Sequence, residues 1–271
     1  MKGSLHKTMA QEACNTVGVN GDDDDIIKEQ VVTPDDPNVS ASLPDWIVHD
    51  ETIEDGMSEA IEEIMHHFGH YYDADPFWGT YYCDHNDDAH SADWNGFGGA
   101  PVAAQYHFDK AERYCCDTQD KWVGRTLHYT QDMCVPLHTG MGREQANFEI
   151  AYSDGDTYAE FYPMYWLHSG YENYVKDRWD KYEDFSEHYG ANNCDGCYGY
   201  HEYNNAGTEV TELANYTGQY SSEVYHQIAD ECTGDWTKWD STTRDKLKKI
   251  TQNCLQKTGL KDRGLLHKFY K

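Results

Sequence analysis

The stretch from His128 to His138, HYTQDMCVPLH, carries imidazoles and a carboxylate at intervals that suit a metal ion. His128 and Asp132 are four residues apart, so a helix sets both on one face. Pro136 has no N–H to donate and keeps the residue before it out of the α region. The spacing therefore predicts that the helix stops there, with His138 just past the break. A second pair at the same spacing, His168 and Glu172, follows in LHSGYENYV. Imidazole nitrogen and carboxylate oxygen are zinc ligands, commonly supplied as pairs one helical turn apart. One such pair is ordinary on an exposed helix. Two pairs and His138 together point to a metal centre. No Ser-His-Asp constellation and no phosphate-binding glycine loop competes with that chemistry.

These ligands need helices to hold them. Residues 5–16 read as a short helix and residues 20–44 as a loop with an acidic run, prolines and serines. Residues 45–68 read as a helix, with Ile53, Met57, Ala60, Ile61, Ile64 and Met65 at helical spacing. An irregular, glycine-bearing insertion spans 71–99. Helices follow at 100–116 and 119–134, then a long aromatic connection over 139–167, then helices at 168–187, 207–231 and 240–257. No alternating apolar strand stands out. The expectation is an all-α, single-domain, multi-helix bundle over residues 1–271 with long irregular loops and no internal repeat.

HYTQDMCVPLH followed by HSGYENYV resembles the zinc-dependent phospholipase C family, whose fold is shared with the fungal-type single-strand-specific nucleases. Both carry His-x3-Asp-x5-His with a proline two before the last histidine, then a downstream His-x3-Glu or His-x3-Asp. The resemblance implies an all-α fold, three Zn2+ ions in a cleft and phosphodiester hydrolysis. It implies further ligands. The family's histidine followed by an aromatic falls on His70 in HYYDADP. An aspartate upstream of it falls on Asp55 in WIVHDETIED, where Asp50-Glu51 replaces the family's central Gly-Ala; Glu59 and Glu62 are the alternatives. The histidine of the first helix falls on His6 in SLHKTMAQEA. The last ligand, the backbone of the amino terminus, falls on Met1. By resemblance Asp55, His70, His128 and Asp132 hold one zinc, and His138, His168 and Glu172 a second. The Met1 backbone, His6 and a bridging Asp132 hold the third. Asp55 would also orient or deprotonate the attacking water. His66 and His67 are alternative ligands if the register at His70 shifts. His49, His107, His188 and His201 read as ordinary surface or core residues.

Composition narrows the partners. The net charge is −28, from 49 acidic and 21 basic residues. That excludes a broad basic groove for duplex DNA and opposes an anionic membrane surface. No apolar run is long enough to span a bilayer, and MKGSLHKTMAQ lacks the apolar region of a signal peptide. Nine cysteines, among them the adjacent Cys115 and Cys116 and the CDGC of Cys194 and Cys197, suggest an oxidising compartment. Sequons at Asn38 and Asn215 agree. The expectation is a secreted protein with several disulfides, its signal already removed, and with one thiol left over. The Asp22–Asp25 run reads as a solvated acidic turn. The CDHNDDAHSAD segment around His85 and His90 reads as a polar loop, with an additional Ca2+ site as the alternative. The 22 tyrosines and 8 tryptophans suit a core, a stacking cleft or contacts between subunits.

Three functional readings follow. The first is a secreted zinc phosphodiesterase of phospholipase C type acting on a phospholipid head group, favoured by glutamate as the last ligand. The second is a nuclease for single-stranded nucleic acid, favoured by the short lead to His6 and by aromatic residues for base stacking. The third is a non-catalytic surface or assembly protein, homo-oligomeric, built on the same scaffold and favoured by the tyrosine abundance.

Overall fold

The computed structural model of the chain describes residues 3–35, 99–139, 157–181, 185–190 and 199–271. Among them are ten α-helices, two 3-10 turns and no strand, so the all-α expectation holds. We number the helices α1 Gly3–Val17, α2 Asp22–Gln30, α3 Ala100–Arg113, α4 Cys116–Asp132 and α5 Pro136–Thr139. There follow α6 Thr157–Asp177, α7 Phe185–Gly190, α8 Ala206–Gly218, α9 Ser221–Asp230 and α10 Ser241–Tyr270. None is long and apolar enough to cross a membrane. The expected helix at 45–68, the insertion at 71–98 and residues 140–156 lie outside the described residues.

In α1 the buried positions are Leu5, His6, Met9, Ala10, Ala13 and Cys14, the stripe a helix presents to a core. His6 belongs to that stripe, so its imidazole points inward by helical phase alone. The acidic run corrects the sequence reading. Residues 22–30 are the helix α2, not loop. Four aspartates in its first turn face the positive end of the helix dipole. Lys28 pairs back to Asp24 at 3.1 Å and Asp25 at 2.9 Å, and Ile27 is fully buried. Charge that looked like solvated loop is thus a helix start anchored by one apolar residue.

The centre of the fold is α4, which packs against α1, α2, α3, α8 and α10. From Val123 to Asp132 every residue of α4 is buried. Two further bounds differ from expectation. The span 207–231 divides into α8 and α9, because α8 packs on α3 and α5 while α9 packs on α5 and α6. The last helix runs on through Gly259 and Gly264 to Tyr270. Glycine weakens a helix interior by about 1 kcal/mol, which is why the sequence reads as ending near 257. Here a β-carbon at Gly259 would collide with the Tyr189 carbonyl, and one at Gly264 with the His201 carbonyl. The glycines are contact points, not stops. Similarly, α6 begins at Thr157, inside the expected connection, and α7 is separate from it.

The disulfide expectation fails where it can be judged. Cys14, Cys115, Cys116, Cys134, Cys232 and Cys254 are free thiols. Cys14, Cys134 and Cys254 are core residues, packed as small apolar groups, and burial pushes the Cys134 thiol up to about 12. Cys83, Cys194 and Cys197 lie outside the described residues. The second sequon also has a structural role: the Thr217 hydroxyl is buried and donates to the Met133 carbonyl at 2.7 Å.

Candidate metal centre

The C-terminal end of α4 brings His128 and Asp132 to one face, as their spacing predicts. The chain then stays tightly wound. Cys134 N–H donates to the Gln131 carbonyl at 3.0 Å, Val135 N–H to Asp132 at 3.0 Å and His138 N–H to Val135 at 2.8 Å. Pro136 opens the next short helix rather than only ending the last, a position where its missing N–H costs nothing. The Thr217 bond to Met133 holds this corner from α8. His138 is thereby returned to the neighbourhood of Asp132, with its Nδ1 3.8 Å from Asp132 Oδ1.

Two groups of potential ligands result. In the first, His6 Nε2 stands 3.3 Å from Asp132 Oδ1, and His128 Nε2 stands 3.0 Å from Asp132 Oδ2. The two imidazoles stack with centroids 4.3 Å apart. In the second, Glu172 Oε1 lies 2.9 Å from His168 Nε2 and 3.5 Å from His138 Nε2. The Nε2 atoms of His138 and His168 are 2.5 Å apart. Tetrahedral zinc with bonds near 2.0–2.1 Å sets neighbouring ligand atoms about 3.3 Å apart. The two imidazole–carboxylate distances of the first group are close to that spacing. In the second the imidazoles are closer, as a shared proton allows and as a bound ion would open.

The protonation pattern favours a cation. His128 Nδ1 donates to the Val31 carbonyl at 2.7 Å, and His6 Nδ1 faces Gln131 Oε1 at 2.8 Å. Carbonyl and amide oxygens only accept, so both Nδ1 atoms carry the hydrogen and both Nε2 atoms present lone pairs when the rings are neutral. Those lone pairs face a carboxylate. His6 Nε2 is fully buried without a hydrogen-bond partner, and a lone pair against a buried anion needs a proton or a metal between them. Burial, reinforced by His128, pulls the His6 imidazole below its ordinary value, which disfavours the proton. Burial pulls His138 down to about 3, with His168 beside it. Burial opposes ionisation of Asp132 and Glu172, yet neighbouring positive charge, that of the imidazoles included, outweighs it and both stay well below the usual carboxylate range. Two buried carboxylates held ionised need positive charge beside them, and where His6 and His138 are neutral a bound cation would supply it. Two imidazoles with one carboxylate are also a common zinc ligand set with an open fourth position. The residues present fit zinc.

Of the expected ligands, the structure therefore brings together His6, His128, Asp132, His138, His168 and Glu172. Met1, Asp55 and His70 lie outside the described residues, as do His66, His67, His85 and His90 and the calcium alternative. His107 is buried in the core, stacked between Trp122 and Tyr129. A third group that sequence reasoning missed comprises His201, Glu209 and Glu212. His201 Nε2 is 3.0 Å from Glu209 Oε2, and the buried Lys261 ammonium donates to both Glu209 and, at 3.0 Å, Glu212. Lys261 already supplies the cation there, so we read it as an ion-pair network. Only Glu209 and Glu212, at the i,i+3 spacing of one helix face, hinted at it.

Comparison with models of protein families, with curated proteins and with solved structures finds no match.

Proposed function

We propose that the chain is a zinc-dependent phosphodiester hydrolase of phospholipase C type. One observation carries the reading: two sets of two imidazoles and a carboxylate, drawn from α1, α4, α5 and α6, meet across Asp132 in a buried site. The motif resemblance of residues 128–138 and 168–175 supplies the reaction class. His6, His128 and Asp132 would hold one ion and His138, His168 and Glu172 another; Asp132 faces both imidazoles of the first set, and its Oδ1 lies 3.8 Å from His138 of the second. When bound, such ions neutralise phosphoryl oxygens and lower the pKa of a bound water towards ~7. The protein's own part is to fix the imidazole tautomers, to hold the carboxylates ionised and to shield them from bulk water. His168 is the most open of these ligands, at 17 % exposure, so a substrate would approach from the His168 side. The charge of −28 favours a compact phosphodiester over a long phosphate backbone.

The test is zinc counting on the purified protein, followed by hydrolysis of bis(p-nitrophenyl) phosphate, a soluble phosphatidylcholine analogue and single-stranded DNA. We expect at least two zinc ions per chain and turnover of the lipid analogue, abolished by a chelator and restored by zinc. Turnover of DNA instead selects the nuclease reading. Bound zinc with no turnover selects the non-catalytic one, and absence of zinc ends all metal readings.

A further inference from the structure

We propose that Asp262 and Gln131 are positioning residues that fix which nitrogen of His6 presents its lone pair to the metal centre. The inference rests on the zinc reading above. Three helices contribute. His6 of α1 meets Gln131 of α4 at 2.8 Å, between Nδ1 and Oε1. Gln131 Nε2 donates to Asp262 Oδ2 of α10 at 3.1 Å, and the Tyr189 hydroxyl donates to the same oxygen at 2.5 Å. His6, Gln131 and Asp262 are all fully buried, so no bulk water substitutes for any of these bonds.

The direction of this chain follows from donor and acceptor types. A glutamine amide fits either way round in a cavity, and an imidazole takes either tautomer. An aspartate carboxylate only accepts. Gln131 must therefore turn its NH2 to Asp262, which leaves its oxygen towards His6. That oxygen only accepts, so the His6 proton must sit on Nδ1. A neutral imidazole has one N–H, so Nε2 is left as a lone pair, 3.3 Å from Asp132 Oδ1. The polarity of a ligand on the first helix is thus decided by a carboxylate on the last. His128 needs no such device, because a backbone carbonyl fixes its Nδ1 directly.

A plain core role explains the cluster less well. Asp262 Oδ1 is buried with no hydrogen-bond partner, a costly state for a carboxylate. A neutral or apolar residue would pack there at lower cost, but only an acceptor orients Gln131. The position is also braced. Arg263 donates through Nε to the Gly199 carbonyl at 2.7 Å and through Nη1 to the Tyr189 carbonyl at 2.6 Å. Outer hydrogen-bond partners of metal-bound histidines fix the tautomer and ring orientation, and their loss typically costs 10–100-fold in metal affinity.

The experiment uses the full chain at pH 8, with two readouts. Long-range 1H–15N correlation spectra of the metal-free protein report the His6 tautomer. Competition with a chromophoric chelator reports zinc affinity. The parent is expected to show Nδ1–H. Asp262→Leu frees Gln131 to rotate, so a mixture of His6 tautomers and about 10–100-fold weaker zinc binding are expected. Asp262→Asn offers an acceptor and a donor, so it should give a partial tautomer mixture and an affinity between those of the parent and Asp262→Leu. Tyr189→Phe removes a bond to Asp262 without removing Gln131's acceptor; it should lower the melting temperature and leave both readouts unchanged. Gln131→Met tests the relay from its other end if Asp262→Leu does not fold, with the same tautomer mixture expected. An unchanged tautomer and unchanged affinity in Asp262→Leu, or in Gln131→Met, overturns the proposal. If the parent binds no zinc while the tautomer responds as described, the relay stands and the metal reading fails.

Discussion

Asp132 is the carboxylate of the first ligand group, and its Oδ1 also stands 3.8 Å from His138 Nδ1 at the edge of the second. Its Oδ1 faces His6 and its Oδ2 faces His128, whereas Glu172 serves only the group with His138 and His168. Asp132→Asn keeps the shape but removes a charge that would offset two cations in a low-dielectric site. It should lower bound zinc by more than one equivalent, and Glu172→Gln by about one. Zinc counts on both purified variants decide it; equal losses would mean that Asp132 does not bridge. A second prediction concerns pH. Burial pushes the Asp262 carboxyl up to about 7, above the ~3.9 of an unperturbed aspartate. The unfolded chain releases this proton first as pH rises. The associated stability is therefore fully present below about pH 4 and lost by the time pH passes about 7. Asp262→Asn removes that dependence. Metal-free parent and variant should melt together near pH 4, with the variant more stable at pH 8 by on the order of a few kcal/mol. Parallel pH profiles would show that the carboxyl is not held protonated.

At the scale of elements, the long α10 decides how α1 and α7 sit. Gly264 lets the backbone at His201 lie directly on the helix, and His201 N–H donates to the Leu260 carbonyl at 2.9 Å beside it. Two effects oppose each other in Gly264→Ala. Helix propensity favours alanine by about 1 kcal/mol, while forcing a methyl into closed packing costs about 1–3 kcal/mol or more. The colliding atom is a backbone oxygen and not a pliable side-chain tip, so the clash wins. A net loss of about 1–2 kcal/mol is expected by urea denaturation. A more stable variant would show that the 199–203 segment does not press on α10. The corner between α4 and α5 illustrates the complementary case, in which a proline and a threonine from another helix together aim a ligand.

At the scale of the whole molecule, the ligands come from α1, from the adjoining α4 and α5, and from α6, three segments well separated in sequence. Metal binding then links segments that only the fold brings together, and part of the binding free energy becomes folding free energy. Removal of metal should lower the melting temperature as well as any hydrolysis, and zinc should restore both. An unchanged melting temperature after verified removal would mean that the cavity is fully organised by packing. The buried core behind α4 would be the reason, with Leu5, Met9, Phe108 and Leu127 at 2 % exposure or less.

Local pattern sufficed for some of this. The i,i+4 pairs, the proline before His138 and the apolar stripe of α1 are consequences of helical periodicity, which a sequence states outright. They made the all-α class and the ligand types legible, whereas His6 rested on the family resemblance alone and its inward phase shows only in the packed helix. Other features depended on what came to lie alongside. The aspartates of α2 become a helix because Ile27 finds a core and Lys28 two carboxylates. Gly259 and Gly264 continue a helix because carbonyls of distant segments press on it. The cysteines at 14, 134 and 254 become core thiols because the packed helices turn those positions inward. His201, Glu209 and Glu212 assemble around a lysine from α10. Gln131 and Asp262 are 131 residues apart, and nothing in either neighbourhood marks them as partners. Hydrogen-bond direction across three helices exists only once those helices have packed. The sequence by itself determined which side chains could ligate, while the tertiary structure decided which nitrogen each histidine presents.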